Sequence, residues 1–278
     1  MPVTARRFVR RMRGGAQAQL LEADDGAYYV TKFIDNPQHR RVLINEWLGA
    51  ALLRQLGISV PRLEIINVPA ELIAREPEMC IQTGSHRRQA SAGRHLGSAT
   101  PGAPDKLAVY DYLPDALLGD VMNRDQFLGT LAFDKWAGNS DARQAVFFRA
   151  TVKTYWPDAP VAPTRKGFLA WMIDHGYLFD GPHWEFVDSP LQGLYHRKLV
   201  YDSVTGLDSF EPWIARIEAM PESVADEAVR AMPAEWIADD HDALMRLLER
   251  LWRRRKRTAE LVCAMASSKL KPFARWLK

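Results

Sequence analysis

A glycine loop, a lysine and a glutamate follow one another within the first fifty residues and together could bind phosphate. Gly14 and Gly15 stand between two strand-like segments, and Lys32 lies in the apolar segment Tyr-Tyr-Val-Thr-Lys-Phe. Glu46 lies on the helix-like segment that follows. A loop of small residues lets backbone N–H groups approach phosphate oxygens, and a nearby lysine adds positive charge. A glutamate on an adjacent helix can hold that lysine in position.

Two aspartates in the second half of the chain could complete a phosphoryl-transfer site. Asp141 lies in the polar sequence Gly-Asn-Ser-Asp-Ala-Arg-Gln, and Asp174 directly follows the apolar run Leu169–Ile173. An aspartate at a strand end can bind Mg²⁺ that bridges nucleotide phosphates, and an aspartate on a loop can accept the proton of an acceptor hydroxyl. Phosphoryl transfer depends mainly on positioning and charge neutralisation, so this order of residues predicts that chemistry.

Each of these residues taken alone also fits a structural role. A two-glycine loop is often a simple turn, Glu46 fits a solvated helix position, and Asp141 fits a turn or helix cap. Asp174 fits a turn at a strand end. Lys32 is different, because burial of an unpaired ammonium is costly. We therefore expect Lys32 to lie at an edge position, to be paired with an acidic residue, or to have a functional role. The order of all these features is therefore more informative than any one of them.

The elements expected to position these residues begin with strands and one helix. Gly57 follows the helical stripe as a natural C-cap, and the turn Asp24-Asp25-Gly26 separates two strands. The apolar spacing predicts a first strand before Gly14, strands over Gln19–Glu22 and Tyr28–Ile34, a helix over 41–56 and a strand over Val60–Val68.

The second half is predicted to be mostly helical. Residues 83–105 are rich in Gly, Ser, Ala, Arg and Pro, which predicts a loop and a boundary between lobes. Further elements are a helix over 123–138, strands over Ala145–Phe148 and Phe168–Ile173, and helices over 207–219, 222–231 and 240–266. The plan is two-lobed α+β, with a small β-rich lobe over 1–105 and a larger, mostly helical lobe over 106–278.

Six segments, in this order, resemble the HipA-like kinase family in the compact form that lacks the toxin's additional N-terminal subdomain. The resemblance spans about residues 8–200, and its motifs lie at 11–17, 29–33, 36–46, 57–61, 133–141 and 172–176. Any one motif is weakly diagnostic, whereas six in the family's order are strong evidence for the fold. The resemblance implies a two-lobed protein-kinase-like fold, use of ATP and Mg²⁺, and transfer of phosphate to a Ser or Thr hydroxyl of a protein.

The resemblance also implies a role for each matching residue. It places Gly14, Gly15 and Gln17 in the phosphate-binding loop, Lys32 on the nucleotide phosphates, Glu46 as the partner of Lys32, Asp141 as the catalytic base and Asp174 as a Mg²⁺ ligand.

The chain departs from the family pattern at the second metal ligand. Family members place Asn five residues after the catalytic aspartate, whereas this position is Val146, which cannot bind a metal ion. Gln144 could substitute through its amide oxygen. The regulatory serine of HipA toxins also has no counterpart, since residues 5–30 contain neither Ser nor Thr. A catalytically weak nucleotide-binding or interaction module is therefore the alternative function.

Charge, cysteines and hydropathy exclude other classes of protein. The chain has 37 Lys+Arg and 34 Asp+Glu, but residues 250–278 hold ten basic residues and one acidic residue. The run Arg253–Arg257 is expected to form the solvated face of an amphipathic helix, with contact to nucleic acid as the alternative. Cys80 and Cys263 show no disulfide or metal-ligand spacing, and no apolar run could span a membrane, so we expect a cytoplasmic protein.

Overall fold

The computed structural model describes residues 2–277, and its N-terminal part is built around a closed β-barrel. Its strands pair in the order β1-β2-β3-β7-β4, and the barrel closes where β1 runs parallel to β4, with Val3 opposite Ile66. The strands of the chain are β1 (Val3–Arg11), β2 (Gln19–Ala23), β3 (Tyr28–Lys32), β4 (Leu63–Val68), β5 (Cys80–Thr83), β6 (His86–Gln89), β7 (Gly93–Ala99), β8 (Val109–Tyr110), β9 (Gln144–Thr151) and β10 (Lys166–Ile173).

Helices are the predominant secondary structure of the C-terminal part. The α-helices are α1 (Arg41–Gln55), α2 (Ala70–Arg75), α3 (Asp115–Gly119), α4 (Gln126–Ala137), α5 (Val152–Tyr155), α6 (Trp213–Glu218), α7 (Ser223–Ala231), α8 (Ala234–Ile237), α9 (His241–Arg254) and α10 (Thr258–Ala266). Short 3₁₀ turns cover Leu178–His183, Lys198–Tyr201, Leu207–Phe210, Ala238–Asp240 and Arg255–Arg257. No helix within residues 2–277 is long and apolar enough to cross a membrane.

The strands and long helices predicted around the candidate site are present. The predicted helix 41–56 corresponds to α1, and Gly57 follows it with a left-handed φ of 78°. The strands predicted after Asp141 and before Asp174 correspond to β9 and β10, which pair antiparallel beside β8. Apolar residues were a sufficient signal in these segments because α1, β9 and β10 bury many of their apolar side chains in the core.

The prediction of a loop over 83–105 is wrong, because this segment contains β6 and β7. The second of these is an internal strand of the barrel, paired with both β3 and β4. Its small residues are a packing requirement, since a Cβ on Gly97 would lie 2.3 Å from Cγ1 of Ile66. The segment therefore has the amino-acid composition of a loop although it forms strands, because its place in the barrel requires small residues.

The connection between the barrel and the second sheet is shorter than expected. Residues 100–108 run from β7 to β8 without helix or strand, and residue 105 lies within them. The division into lobes 1–105 and 106–278 stays a prediction, and its first and last residues lie outside the described part of the chain.

The buried helix α4 sets the position of the polar loop that contains Asp141. All its residues are buried, which is typical of a central core helix. The helix ends at Gly138, whose φ of 62° turns the chain out of the helix directly before Asn139. The loop 139–143 is therefore anchored by the core helix on one side and by β9 on the other.

Candidate active site

Lys32, Glu46 and Asp174 form one ion cluster between the barrel and the second sheet. The ammonium of Lys32 on β3 donates to Oε1 of Glu46 on α1 and, at 2.7 Å, to Oδ1 of Asp174. The Glu46 and Lys32 side chains are only 6% and 14% exposed, whereas that of Asp174 is 36% exposed. The structure thus brings together three residues that the sequence placed in separate motifs, and Lys32 is a paired lysine rather than an edge lysine.

The charges of this cluster stabilise one another. Burial favours neutral Lys32, but the carboxylates of Glu46 and Asp174 outweigh burial and raise the pKa of Lys32 above its usual value. Burial likewise disfavours the carboxylate of Asp174, but the Lys32 charge lowers the Asp174 pKa to about 2. Burial raises the pKa of Glu46 against the opposing effect of Lys32. Asp174 is therefore a carboxylate at neutral pH.

The backbone after β10 is held in an uncommon conformation. Asp174 has a φ of 59°, in the left-handed region that non-glycine residues rarely occupy. The buried Asn45, next to Glu46 on α1, holds the segment by donating to the carbonyl oxygens of Gly176, Leu178 and Gly181 at 2.8, 3.1 and 3.0 Å. The same helix therefore carries the partner of Lys32 and orders the loop that begins at Asp174.

Two glycines, Gly49 on α1 and Gly176 in the loop, let the helix approach the loop closely. A Cβ on Gly49 would lie 2.4 Å from Cδ1 of Leu178 and 2.9 Å from Cβ of His175. A Cβ on Gly176 would lie 2.5 Å from Cγ1 of Val42. Both glycines are thus required by the short distance between helix and loop.

A buried ion pair braces the loop that carries Asp141. The guanidinium of Arg143 pairs with both oxygens of Asp134, and these side chains are 1% and 0% exposed. Arg143 also donates to the carbonyl oxygen of Ile173 at 3.0 Å and contacts Nδ1 of His175 at 2.8 Å. Arg143 therefore ties the Asp141 loop to the residues on both sides of Asp174.

Asp141 itself is exposed in the middle of this braced loop. Its Oδ1 accepts from the backbone N–H of Ala142 at 2.7 Å, and its own N–H donates to Oδ1 of Asn139 at 3.1 Å. The N–H of Ser140 donates to the carbonyl oxygen of Tyr177 at 3.0 Å, which joins the loops of the two aspartates. The carboxylate is accessible to a substrate while its backbone is fixed.

Gln144 lies beside Asp174, with its amide nitrogen facing the carboxylate, and its role as a metal ligand stays a prediction. Its Nε2 donates to Oδ2 of Asp174 at 2.9 Å, because β9 and β10 place Gln144 opposite Ile173. Val146 lies opposite Trp171 and packs against a small apolar cluster, so it contributes no ligand. Carboxylate and amide oxygens are hard donors, and Mg²⁺ commonly takes one or two of them together with substrate phosphates. Asp174 and Gln144 fit such an ion, and no cluster of three or more acidic, His or Cys ligands exists within residues 2–277.

The two-glycine loop connects β1 and β2 and has unengaged backbone donors. Gly14 has a φ of 114°, and the N–H of Gln17 donates back to its carbonyl oxygen at 3.1 Å. Within the described chain, the N–H groups of Gly14, Gly15 and Ala16 donate to no backbone or side-chain acceptor. These donors are available to an anion such as phosphate.

Gln17 shapes this loop with its side chain. The amide oxygen accepts from the N–H of Gln82 at 2.8 Å, and the amide nitrogen donates to the carbonyl oxygen of Gln82 at 2.5 Å. Both ends of the amide are thus used to attach the loop to β5. The place of Gln17 in a phosphate-binding loop stays a prediction, and its side chain positions that loop.

The basic run Arg253–Arg257 is largely engaged in internal contacts. Arg254 is only 7% exposed and donates to Asp188 at 2.6 Å and to the carbonyl oxygen of Trp136 at 3.1 Å. The prediction of a fully solvated helix face is therefore wrong at Arg254, which the apolar spacing could not distinguish from its neighbours. The other ion pairs of the run are Arg253–Glu249, Arg255–Glu222, Arg257–Asp188 and Arg257–Glu260. These pairs neutralise most of the charge on which a nucleic-acid site would depend.

Sequence reasoning missed four residues that support the site. Asn45, Asp134, Asn139 and Arg143 are buried and bonded to the segments that carry Glu46, Asp141 and Asp174. Each lies within a few residues of a predicted functional residue, and all but Arg143 lie inside quoted family motifs. The available signal was a polar side chain in an otherwise apolar helix for Asn45 and Asp134. For Asn139 and Arg143 it was a position close to Asp141 in the sequence.

Comparison with solved structures shows the fold. A crystal structure of the Golgi casein kinase superimposes with a TM-score of 0.51 at 12% identity, covering 96% of this chain and 75% of that chain. A second structure, the Golgi casein kinase with Mn/ADP bound, gives 0.49 at 11% identity, covering 96% and 73%. The first likeness shows a two-lobed protein-kinase-like α+β fold, as predicted.

Comparison with protein families identifies the chain more closely. A search of curated proteins gave no match. The profile of the HipA-like kinase family matches residues 6–261, which cover the barrel, the ion cluster and most of the helical part. The resemblance drawn from the six sequence motifs is thereby confirmed, and the chain belongs to the HipA-like kinase family.

Proposed function

We propose that this chain is an ATP- and Mg²⁺-dependent kinase that phosphorylates a Ser or Thr hydroxyl of a protein. The observation that carries the proposal is the ion cluster, in which Lys32 from the barrel pairs with Glu46 from α1 and with Asp174 from the loop after β10. Family membership supports the reaction class. Two cysteines without a disulfide support a reducing, cytoplasmic location.

ATP would bind between the two lobes, below the Gly14–Gln17 loop. The unengaged N–H groups of that loop would donate to phosphate oxygens, and Lys32 would add positive charge to the same phosphates. Glu46 keeps the ammonium of Lys32 in place while the nucleotide enters and leaves. Asp174 and Gln144 would hold Mg²⁺, which when bound supplies neutralisation of the phosphate charge.

Asp141 would act as the catalytic base. Its exposed carboxylate accepts the proton of the acceptor hydroxyl as the new oxygen–phosphorus bond forms. The bond between the γ-phosphorus and the bridging oxygen breaks, and ADP leaves with that oxygen. Arg143 and Asn139 keep the loop of Asp141 in place, which matters because phosphoryl transfer gains most from positioning.

The test is phosphate release and transfer from radiolabelled ATP with Mg²⁺, in the wild type and in Asp141→Ala and Asp174→Ala. We expect both variants to fall at least about 100-fold below the wild type while the fold persists. Asp226→Ala, at an exposed position on α7, is the matched control and should keep full activity. Wild-type turnover no higher than that of the two site variants would contradict the proposal.

Val146 favours a second candidate, a nucleotide-binding module with little or no catalysis. The side chain packs against apolar neighbours where family members supply a metal ligand, which leaves Asp174 and Gln144 as the proposed ligands. Nucleotide binding is measured directly by calorimetry in the same preparation. Tight binding of ATP without turnover would favour this candidate over the kinase.

A further inference from the structure

A pocket of about 320 Å³ is lined in part by Asp141, and none of the residues proposed to hold the nucleotide or Mg²⁺ lines it. One wall is the Asp141 loop, and the opposite wall is the segment from Ser189 to His196. Leu270, from the chain that follows α10, closes one side. Because Asp141 lies on the edge of this pocket, anything bound there is next to the proposed catalytic base.

The start of this second wall, at residues 188–190, is held by the cationic side chains of Lys135, Arg254 and Arg257. Lys135 is 4% exposed and donates to the carbonyl oxygens of Ser189 and Pro190 at 3.0 and 2.8 Å. Asp188 accepts from Arg254 at 2.6 Å and from Arg257 at 3.0 Å. The wall is therefore fixed before any substrate arrives, and binding requires little ordering of the protein.

The wall also contacts the Asp141 loop directly. The N–H of Gly193 donates to the carbonyl oxygen of Asp141 at 3.0 Å, and a Cβ on Gly193 would lie 2.2 Å from Cβ of Asp134. The φ of Gly193 is 71°, so this position needs glycine both for its conformation and for the close approach. These contacts fix the position of the segment around Gly193 relative to the Asp141 backbone.

Two exposed leucines line the pocket, and three lysines lie next to one of them, Leu270, by a hydrogen bond or in the sequence. Leu191 and Leu270 line it and are 49% and 41% exposed. Lys198 donates to the carbonyl oxygen of Leu270 at 3.0 Å, and the exposed Lys269 and Lys271 flank the same leucine. Within residues 2–277, none of these three lysines forms an ion pair, in contrast to Arg254 and its neighbours.

We propose that this pocket is the acceptor site and takes an extended, acidic peptide that has an apolar residue next to its Ser or Thr. The proposal rests on the proposed kinase function. Asp141 would receive the hydroxyl proton, Leu191 and Leu270 would cover the apolar side chain, and the lysines would attract carboxylates of the peptide.

The test compares two fluorescent peptides that differ only in charge. Both are extended 11-residue peptides with one serine followed by leucine, flanked by glutamates in one peptide and by lysines in the other. We expect fluorescence anisotropy to show tighter binding of the acidic peptide. Two exposed charges contribute modestly, so Lys269→Gln/Lys271→Gln should weaken its binding about fivefold, and Leu191→Ser should weaken it similarly.

Lys166→Gln is the matched control, since it removes one exposed lysine at the start of β10, seven residues from Ile173 at the other end of the strand. This variant should bind the acidic peptide as the wild type does. Equal binding of the two peptides, no binding of either, or unchanged binding in the pocket variants would overturn the acceptor-site proposal.

Phosphate transfer is scored separately, so that the two proposals can fail independently. If ATP is turned over but the pocket variants bind the acidic peptide normally, the kinase proposal stands and the acceptor site is wrong. If the acidic peptide binds through the pocket but ATP is never turned over, the pocket stands as a peptide site and the kinase proposal fails.

Discussion

The ammonium of Lys32 lies 2.7 Å from Oδ1 of Asp174, although 142 residues separate them in the sequence. Lys32 ends a strand of the barrel, and Asp174 follows the last strand of the other sheet. The same ammonium also pairs with Glu46, so the two ion pairs of Lys32 form only when the barrel, helix α1 and the loop after β10 pack together. Removing the charge of Lys32 should therefore affect the whole site.

Replacing Lys32 by methionine keeps most of the side-chain volume and removes the charge. We expect ATP turnover to fall at least about 100-fold, because the phosphates lose their fixed cation. The free energy of unfolding should fall by about 3 kcal/mol, since buried Glu46 loses its counter-ion. Turnover and urea unfolding measure the two effects. Lys166→Met, at an exposed position, should change neither, and undiminished turnover in Lys32→Met would refute the role of this lysine.

The same variant should change the titration of Asp174. In the wild type Lys32 lowers the pKa of Asp174 to about 2, so the ion pair contributes stability above the ordinary pKa of 3.8 and loses it as pH falls toward 2. Without Lys32, the pKa of Asp174 should rise above its wild-type value. NMR of the side-chain carboxyl carbon measures this, and an unchanged pKa would show that Lys32 does not control it.

Gly49→Ala tests whether the close approach of α1 to the Asp174 loop matters. The new methyl would overlap Leu178 and His175, and such overpacking costs about 1–3 kcal/mol, more than the roughly 1 kcal/mol that alanine gains over glycine in a helix. We expect lower stability and lower turnover together, because α1 must shift and take Glu46 with it. Gly206→Ala is the control, since a methyl there meets nothing within 4 Å. A Gly49→Ala protein as stable and active as the control would show that the loop adjusts freely.

The strands and helices that carry Lys32, Glu46, Asp141 and Asp174 could be predicted because apolar periodicity and family motifs coincide there. The barrel strand β7 could not, because it contains small residues that are typical of loops, among them Gly97, which its close neighbours Ile66 and Tyr29 require to lack a side chain. In that strand the tertiary environment decided the composition, and local propensity was misleading.

The supporting polar residues were missed for a different reason. Asp134 and Arg143 are nine residues apart, and nothing local shows that both are buried and paired. The burial of Arg254 likewise depends on Asp188, which is 66 residues away. Such pairs exist only once the fold is formed, whereas the catalytic motifs are recognisable as short segments.

Gln144→Ala tests the proposed substitution for the missing asparagine. We expect roughly tenfold weaker Mg²⁺ affinity, because one of two metal-binding oxygens is lost. Thermal stabilisation by ADP with increasing Mg²⁺ measures the affinity without requiring turnover. Gln55→Ala, at an exposed position at the end of α1, is the control. If Gln144→Ala requires no more Mg²⁺ than the control, Gln144 is not a ligand.

His95 makes the stability of the barrel depend on pH. Its Nδ1 accepts from the N–H of Ile34 at 3.1 Å, its Nε2 bonds to the carbonyl oxygen of Ser91 at 2.9 Å, and the ring is fully buried. Burial lowers the pKa of His95 from 6.5 to about 4, although the Ser91 carbonyl and the carboxylates of Asp35 and Glu235 oppose it.

The sign of the effect follows from these pKa values. The unfolded chain binds a proton on His95 below pH 6.5 and the folded chain only near pH 4, so the stability present above pH 6.5 is lost as pH falls toward 4. The expected loss at pH 5 is about 2 kcal/mol relative to pH 7, from the 1.36 kcal/mol that one pKa unit represents. Urea unfolding at both pH values measures it. His95→Gln should remove this part of the slope and leave the part due to buried His175, whose pKa is lowered in the same direction by burial and Arg143. An equal slope in wild type and variant would show that His95 is protonated in the folded protein as readily as in the unfolded chain.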